Sequence, residues 1–422
     1  MKRILILGGG ASGIAAAISA AQQANGSAEI MLLEKNQRIA KKLLATGNGR
    51  CNFGNTSASI EKYFSRDIQN AKLMLDEIAE HSPEKWFADL GLLSRAEDER
   101  LYPYSNQAGD RLNLLLYWLE RLDVKIVTEK SVCDIGVKGD EYWVRCTDGE
   151  RIYANAVICA LGGSAGPQFG TDGFGYELAK LCGCKIEPLY PCLVPLKCDK
   201  RQIQGLSGIR VKCGVSLLNG EKIIHSEKGE VQFTDYGLSG IAVMQLSGFL
   251  SPKSGISAAQ ASIDLFPDMD TAQLETLLQS RCKLFGQLSL SSMTDGLLNR
   301  RIALAVLKRM GGETEKRKAD TLDENEIKSL AKAFKDWRFD NLEQMGWQQA
   351  QTTGGGISLW QIDSKSFEMK GCERLYFVGE MLDCAGFCGG YNLHWAFGSG
   401  ITAGVHAAKS VAKSSKKREK RK

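Results

Sequence analysis

Six residues near the start of the chain, Gly8-Gly9-Gly10-Ala11-Ser12-Gly13, constrain its fold more than any other feature. Glycines spaced G-x-G-x-x-G permit a tight strand-to-helix turn, let backbone N–H groups approach an anion, and let the helix pack closely on a sheet. The flanks agree: residues 3–7 form an apolar β-type run, residues 11–24 a small-residue helix and residues 30–33 a second apolar run, together a β-α-β unit. Glu34 lies 21 residues beyond Gly13, where a carboxylate accepts hydrogen bonds from ribose hydroxyls. A carboxylate there, rather than an arginine, selects an unphosphorylated ribose, so the pattern predicts a site for FAD or NAD(H).

With 422 residues, 43% of them hydrophobic, the chain exceeds one small core and predicts two or three domains. No stretch reaches the roughly 18–20 apolar residues of a membrane span, and the early run 4–7 is broken at once by glycines. A cytoplasmic protein is expected, with its 13 cysteines mostly reduced and buried. The net charge of +5 is carried by the C-terminus: residues 409–422 hold eight basic side chains against Glu419, so the rest of the chain is net negative. That distribution reads as a solvated tail, and neither a nucleic-acid nor a membrane partner is expected. Cys182, Cys184, Cys192 and Cys198 fit no zinc or iron–sulfur spacing, so no metal is expected.

Helical spacing marks residues 68–93, with Ser82-Pro83 as an N-cap and first-turn proline, and residues 110–122. Strands are expected at 124–127, 142–146 and 152–159, and Pro188, Pro191 and Pro195 mark a crossing between domains. Residues 211–218, 222–226 and 230–233 alternate like antiparallel strands around the turn Asn219-Gly220. Helices follow within 297–310 and 324–337, then a strand at 375–378 and a last helix over about 392–412.

Three further segments bear on the cofactor. Residues 41–52 form a basic, glycine-bearing loop, with Lys42 and Arg50, suited to phosphate oxygens and a flavin edge. The apolar run 156–163 ends in Ala160, Gly162 and Gly163, which let backbone pass close to a cofactor. Gly379-Glu380 and Gly389-Gly390-Tyr391-Asn392-Leu393 make an acidic turn and a second glycine-rich helix start, where negative charge on a reduced flavin would be stabilised.

These runs, with residues 170–173 and 353–357, resemble the YhiN-like flavoproteins over essentially the whole chain except the tail. Those are FAD-dependent oxidoreductases that include aminoacetone-oxidase-like proteins and the flavin reductase of bile-acid 7α-dehydroxylation. The resemblance implies an α/β fold, a doubly wound Rossmann-type FAD domain interrupted by a β-barrel-like insert and a helical subdomain. Its parts would be residues 1–190 and 351–412 for FAD, 191–268 for a β-barrel-like substrate domain, 269–350 for the helices and 413–422 for a basic tail. It places pyrophosphate on Gly8, Gly10, Ala11, Ser12 and Gly13, and the adenosine ribose on Glu34 with Lys35 beside it. Thr46, Gly47, Arg50, Cys51 and Asn52 would approach the ribityl and flavin, Val132 the adenine, and Gly379, Glu380, Gly390, Tyr391, Asn392 and Leu393 would complete the site.

The implied activity is NAD(P)H-driven reduction of conjugated C=C bonds in 3-oxo-4,6-dienoyl bile-acid (steroid) intermediates, with NADH or NADPH as a transient reductant and a small molecule as substrate. Alternatives are a flavin oxidase of small amines or amino ketones using O2, and a non-catalytic FAD-bound redox sensor that binds a partner. His394, Tyr391 and Asp383 are the candidate proton donors. Cys384 and Cys388 lack C-x-x-C spacing and read as packed thiols, and His225, in an alternating β segment, reads as structural.

Overall fold

The computed structural model of the chain describes residues 2–50 and 52–419. They form two compact units, Met1–Cys192 with Trp347–Lys422, and Leu193–Gly346. The first passage between them falls between Pro191 and Pro195.

Five strands make the parallel sheet of the first unit: β1 (Lys2–Leu7), β2 (Ala28–Leu33), β3 (Lys125–Val127), β4 (Ala156–Cys159) and β5 (Leu375–Phe377). Their order is β5-β4-β1-β2-β3, and each neighbouring pair is parallel. This is the Rossmann-type α/β arrangement. Ile4, Leu5, Ile6 and Leu7 are all fully buried, which is why β1 is a continuous apolar run rather than an alternating one. The edge strand β5 comes from the far end of the chain, in register Val157↔Leu375, and so brings the C-terminal glycine segments to the same sheet as the N-terminal turn.

Three helices matter for the site: α1 (Ala11–Ala24), α2 (Ile68–Glu80) and α3 (Tyr391–Glu419). The last is longer than the expected 392–412. Helices α1 and α3 touch backbone to backbone, because a Cβ on Gly400 would fall on the Ser12 carbonyl oxygen and one on Gly404 on that of Ala16.

Between β3 and β4 lies an antiparallel sheet of Val132–Lys138, Glu141–Cys146 and Arg151–Ala154. The single strand expected over 152–159 is broken at Asn155. Its side-chain oxygen accepts the Arg3 N–H at 2.9 Å and its own N–H donates to the Arg3 carbonyl at 2.8 Å, so the chain passes there from one sheet to the other. Ile186–Cys192 pairs antiparallel with Thr352–Ile357.

The second unit is built on a seven-stranded antiparallel sheet, from Trp337–Phe339 at one end to Glu343–Gln344 at the other. The strands expected at 222–226 and 230–233 are one strand, Lys222–Phe233, because the residues between them continue the ladder opposite Cys213–Val215. Helices Thr271–Leu284 and Glu324–Lys335 start at capping boxes set by Asp270 and Asp323. The second helix stops short of Trp337, which joins the sheet. Phe233, Ile263, Leu278 and Phe334 belong to one core, so the strand-rich and helical stretches of this unit pack as one body. His225 lies here, 2.8 Å from Glu227 and stacked on Phe249.

Candidate active site

The glycine turn ends β1. Gly8 adopts φ +104°, and a Cβ on it would strike the Ala160 backbone, while a Cβ on Gly13 would land on the Gly8 carbonyl oxygen. These two glycines and Ala160 form the scaffold that lets α1 start directly at the sheet. Gly10 differs: it caps α1 with an ordinary φ of −81°, and a Cβ on it would meet nothing within 4 Å. A Cβ on Gly162 would also enter open space. The first-turn N–H groups of α1, at Ala11, Ser12 and Gly13, lack i−4 acceptors within the helix and carry the positive end of its dipole.

Glu34, only 8% exposed, follows β2 and reaches back to this turn. One carboxylate oxygen accepts the Gly9 N–H at 2.8 Å; the other accepts the Asn36 N–H at 2.8 Å and its side-chain amide at 2.7 Å. A carboxylate has about four acceptor positions, so three bonds leave capacity for a hydroxyl donor. The Lys130 N–H donates to the Glu34 carbonyl at 2.9 Å, which brings the strand beginning at Val132 beside it. Lys35 pairs with Asp172 at 2.6 Å, tying residues 170–173 to the same edge.

Lys42 and Glu380 meet each other. The Lys42 ammonium lies 2.8 Å from one Glu380 oxygen and donates to the Ala165 carbonyl at 3.0 Å. The other Glu380 oxygen accepts from the Thr353 N–H at 2.9 Å and hydroxyl at 2.8 Å. The Thr353 hydroxyl oxygen in turn accepts the Ser164 and Ala165 N–H groups at 2.8 and 3.1 Å. Four segments far apart in sequence are thereby locked together. Gly379 packs on Ser12, where a Cβ would approach the hydroxyl to 2.6 Å.

Thr46 and Gly47 lie in a one-turn helix, Thr46–Gly49, and the Thr46 hydroxyl donates to the Leu43 carbonyl at 2.7 Å. Arg50 turns toward the hairpin at residues 94–103: its guanidinium pairs with Glu97 at 2.6 Å, with Asn106 at 2.8 Å, and lies 4.1 Å above the Tyr102 ring. Cys51 lies outside the described residues. Asn52 reaches the start of α3, where a Cβ on Gly390 would strike its side-chain oxygen. Asn392 spends its amide on Gly386, accepting its N–H and donating to its carbonyl, both at 2.8 Å. Leu393 follows in the first turn of α3.

Two buried polar atoms in this region have no partner among the described residues, Asn52 Oδ1 and His394 Nδ1. Orphaned buried polar atoms are uncommon and point to a missing ligand or water. Together with the open space at Gly10 and Gly162 and the spare acceptor capacity of Glu34, they fit a flavin dinucleotide lying from the glycine turn toward the start of α3.

The candidate proton donors differ. Burial pushes Asp383 up to about 6, against the Arg66 N–H that its carboxylate accepts at 2.9 Å. Burial lowers His394 to about 4, so it is neutral at pH 7. Burial also raises Tyr391, which keeps its proton at neutral pH. Cys384 is buried and its thiol is pushed well above the ordinary range by burial and then by Asp383, which opposes a thiolate role.

Sequence reading missed the close packing of α3. Its signal was present in the small-residue spacing Gly400-x-x-x-Gly404, which marks where helix backbones approach.

Over 411 residues, 97% of this chain and 99% of the relative, the sequence is 34% identical to a 3-dehydro-bile acid delta(4,6)-reductase of Clostridium scindens. It is 26% identical over 402 residues, 94% of this chain and 95% of the relative, to a ribosomal RNA dihydrouridine synthase of Escherichia coli. Among solved structures, a 3-ketosteroid delta1-dehydrogenase of Sterolibacterium denitrificans matches with a TM-score of 0.51 at 11% identity, covering 97% of this chain and all of that one, a likeness of fold alone. The model of the HI0933-like protein Rossmann domain matches residues 2–406, and the chain belongs to that family.

Proposed function

We propose that this protein is an FAD-dependent oxidoreductase of the cytoplasm that reduces a carbon–carbon double bond conjugated to a carbonyl. Its substrates would be 3-oxo-4,6-dienoyl bile-acid (steroid) intermediates of 7α-dehydroxylation, and NADH or NADPH would be the transient reductant. The observation that carries this reading is the end-to-end match, at 34% identity, to a reductase named for such a double-bond pair. Bound FAD supplies two-electron hydride chemistry.

The chain's own residues do the rest. The first turn of α1 would hold the pyrophosphate at Gly10, Ala11, Ser12 and Gly13, and Glu34 would accept from the adenosine ribose. Asn52 and His394 would offer their unmatched atoms to the flavin edge, and neutral His394 adds no charge there. Of the three candidates, Asp383 would be the best matched in acidity to donate a proton, because a carboxyl near 6 keeps an appreciable protonated fraction around neutral pH while remaining acidic enough to give the proton up. Tyr391 ranks below it, since its raised pKa opposes release of a proton.

A second reading comes from the Escherichia coli relative: reduction of a uracil ring in ribosomal RNA. The chemistry is of one class, since the uracil C5=C6 bond is also conjugated to a carbonyl. The two readings separate in an anaerobic spectrum of the purified protein titrated with NADH, then NADPH, then an acceptor. The flavin band should bleach with one nucleotide and return with one equivalent of a 3-oxo-4,6-diene. Return with uridine-containing ribosomal RNA and not with the diene would favour the second reading, and a reduced flavin indifferent to both would refute the conjugated-alkene assignment.

A further inference from the structure

Cysteine spacing predicted no metal, but tertiary packing assembles donors of another kind. Among the described residues, one group of three or more His, Cys, Asp or Glu side chains brings its ligand atoms within 4.8 Å of one another: Glu77, His81 and His406. We infer that these three side chains form a binding site for a divalent transition-metal ion of the Zn2+ type, clamping α2 to α3.

The placement follows from two helices. Glu77 lies in the last turn of α2 and His81 is its C-cap, four residues on, so both project from the same face. His406 comes from the middle of α3. The helices meet beside Glu77, where fully buried Ile78 fills the place that a Cβ on Gly398 would take. The three donors therefore stand on walls whose separation is already set by packing.

Glu77 Oε1 and His81 Nε2 are 3.7 Å apart, too long for a good hydrogen bond. Donors on a tetrahedral ion with bonds of about 2.1 Å stand about 3.4 Å apart, so small side-chain rotations would complete the set. Two imidazoles and a carboxylate favour zinc-like ions over magnesium or calcium, which prefer all-oxygen shells. The His81 and Glu77 side chains are 27% and 23% exposed, so solvent can reach the site and supply a fourth ligand. Asp363 adds a second carboxylate's field at His406, and Lys409, one turn along α3, opposes it. Such an ion would brace the helix whose first turn carries Tyr391, Asn392 and His394.

The test is calorimetric titration of the untagged, chelator-treated full chain with ZnCl2, paired with thermal melts with and without the ion. The wild type should bind one equivalent at this site and melt higher with zinc. Loss of a residue that merely supports a ligand typically costs about 10–100-fold in affinity, so His81→Gln with His406→Gln should weaken binding by at least about 100-fold and abolish the melting shift. Glu77→Gln, a near-isostere on a solvent-reached face, should lower affinity while melting with the wild type in chelator, which separates loss of a ligand from loss of fold. No stoichiometric zinc binding by the wild type would overturn the site, as would a double histidine variant that binds like the wild type, since thiols would then hold the ion.

Discussion

The Lys42 ammonium lies 2.8 Å from a Glu380 carboxylate oxygen, joining the loop after the first βαβ unit to the turn after the last strand of the sheet. The two side chains satisfy each other across a separation of 338 residues. Removing one partner of a fully buried pair costs about 3–5 kcal/mol. These side chains are 27% and 21% exposed, so screening reduces the expected loss to about 1–2 kcal/mol for Lys42→Met or Glu380→Gln. In urea unfolding, the double variant should be little worse than either single one. Strictly additive losses would show that the pair is not coupled.

Asp383 predicts a pH-dependent gain. Its carboxyl is raised from 3.8 to about 6 in the folded chain, chiefly by burial. The folded state therefore holds the proton more tightly than the unfolded state, and the stability this contributes, full below about pH 4, is lost as pH rises through about 6. Asp383→Asn removes that ionisation while its amide oxygen can still accept the Arg66 N–H. The variant should be more stable than wild type at pH 8, by about 2–3 kcal/mol, and should gain little at pH 4. Denaturation curves at the two pH values check this; an equal effect at both would exclude ionisation as the cause.

Gly400 sets two effects against each other. Alanine is favoured over glycine in a helix interior by about 1 kcal/mol. A Cβ at this position, however, would fall on the Ser12 carbonyl oxygen, a backbone atom that cannot swing aside. Overpacking of that kind costs about 1–3 kcal/mol or more, so Gly400→Ala should lower the melting temperature despite its better propensity. A raised melting temperature would overturn the backbone contact between α1 and α3 at Gly400 and Ser12.

Gly10 and Gly13 separate binding from scaffolding. Gly10 has a φ open to any residue and free space where a Cβ would go, so Gly10→Ala should unfold within about 0.5 kcal/mol of the wild type. It should nevertheless retain less FAD, because that space is where the pyrophosphate is proposed to lie. Gly13→Ala should destabilise the fold itself, since its Cβ would meet the Gly8 carbonyl oxygen. The ratio of flavin to protein absorbance, read beside an unfolding curve, distinguishes them. A Gly10→Ala protein with full flavin content would remove the pyrophosphate from this turn.

The features legible along the chain are local ones. The glycine turn, the helix behind it and the carboxylate at Glu34 are readable because their relation depends on spacing within one βαβ unit, and backbone geometry converts that spacing into position. The same holds for the capping residue Ser82, whose hydroxyl accepts the Lys85 N–H three residues on. Tertiary structure alone decided what distant side chains do. Asn392 binds Gly386 and Arg50 pairs with Glu97, partners that spacing along the chain does not announce. Lys42 finds Glu380 only because β5 closes the sheet from the far end of the chain, and His406 meets His81 only because Ile78 and Gly398 let two helices touch. Side-chain partners are chosen by which surfaces bury together, and that choice is made by the whole core rather than by neighbours along the chain.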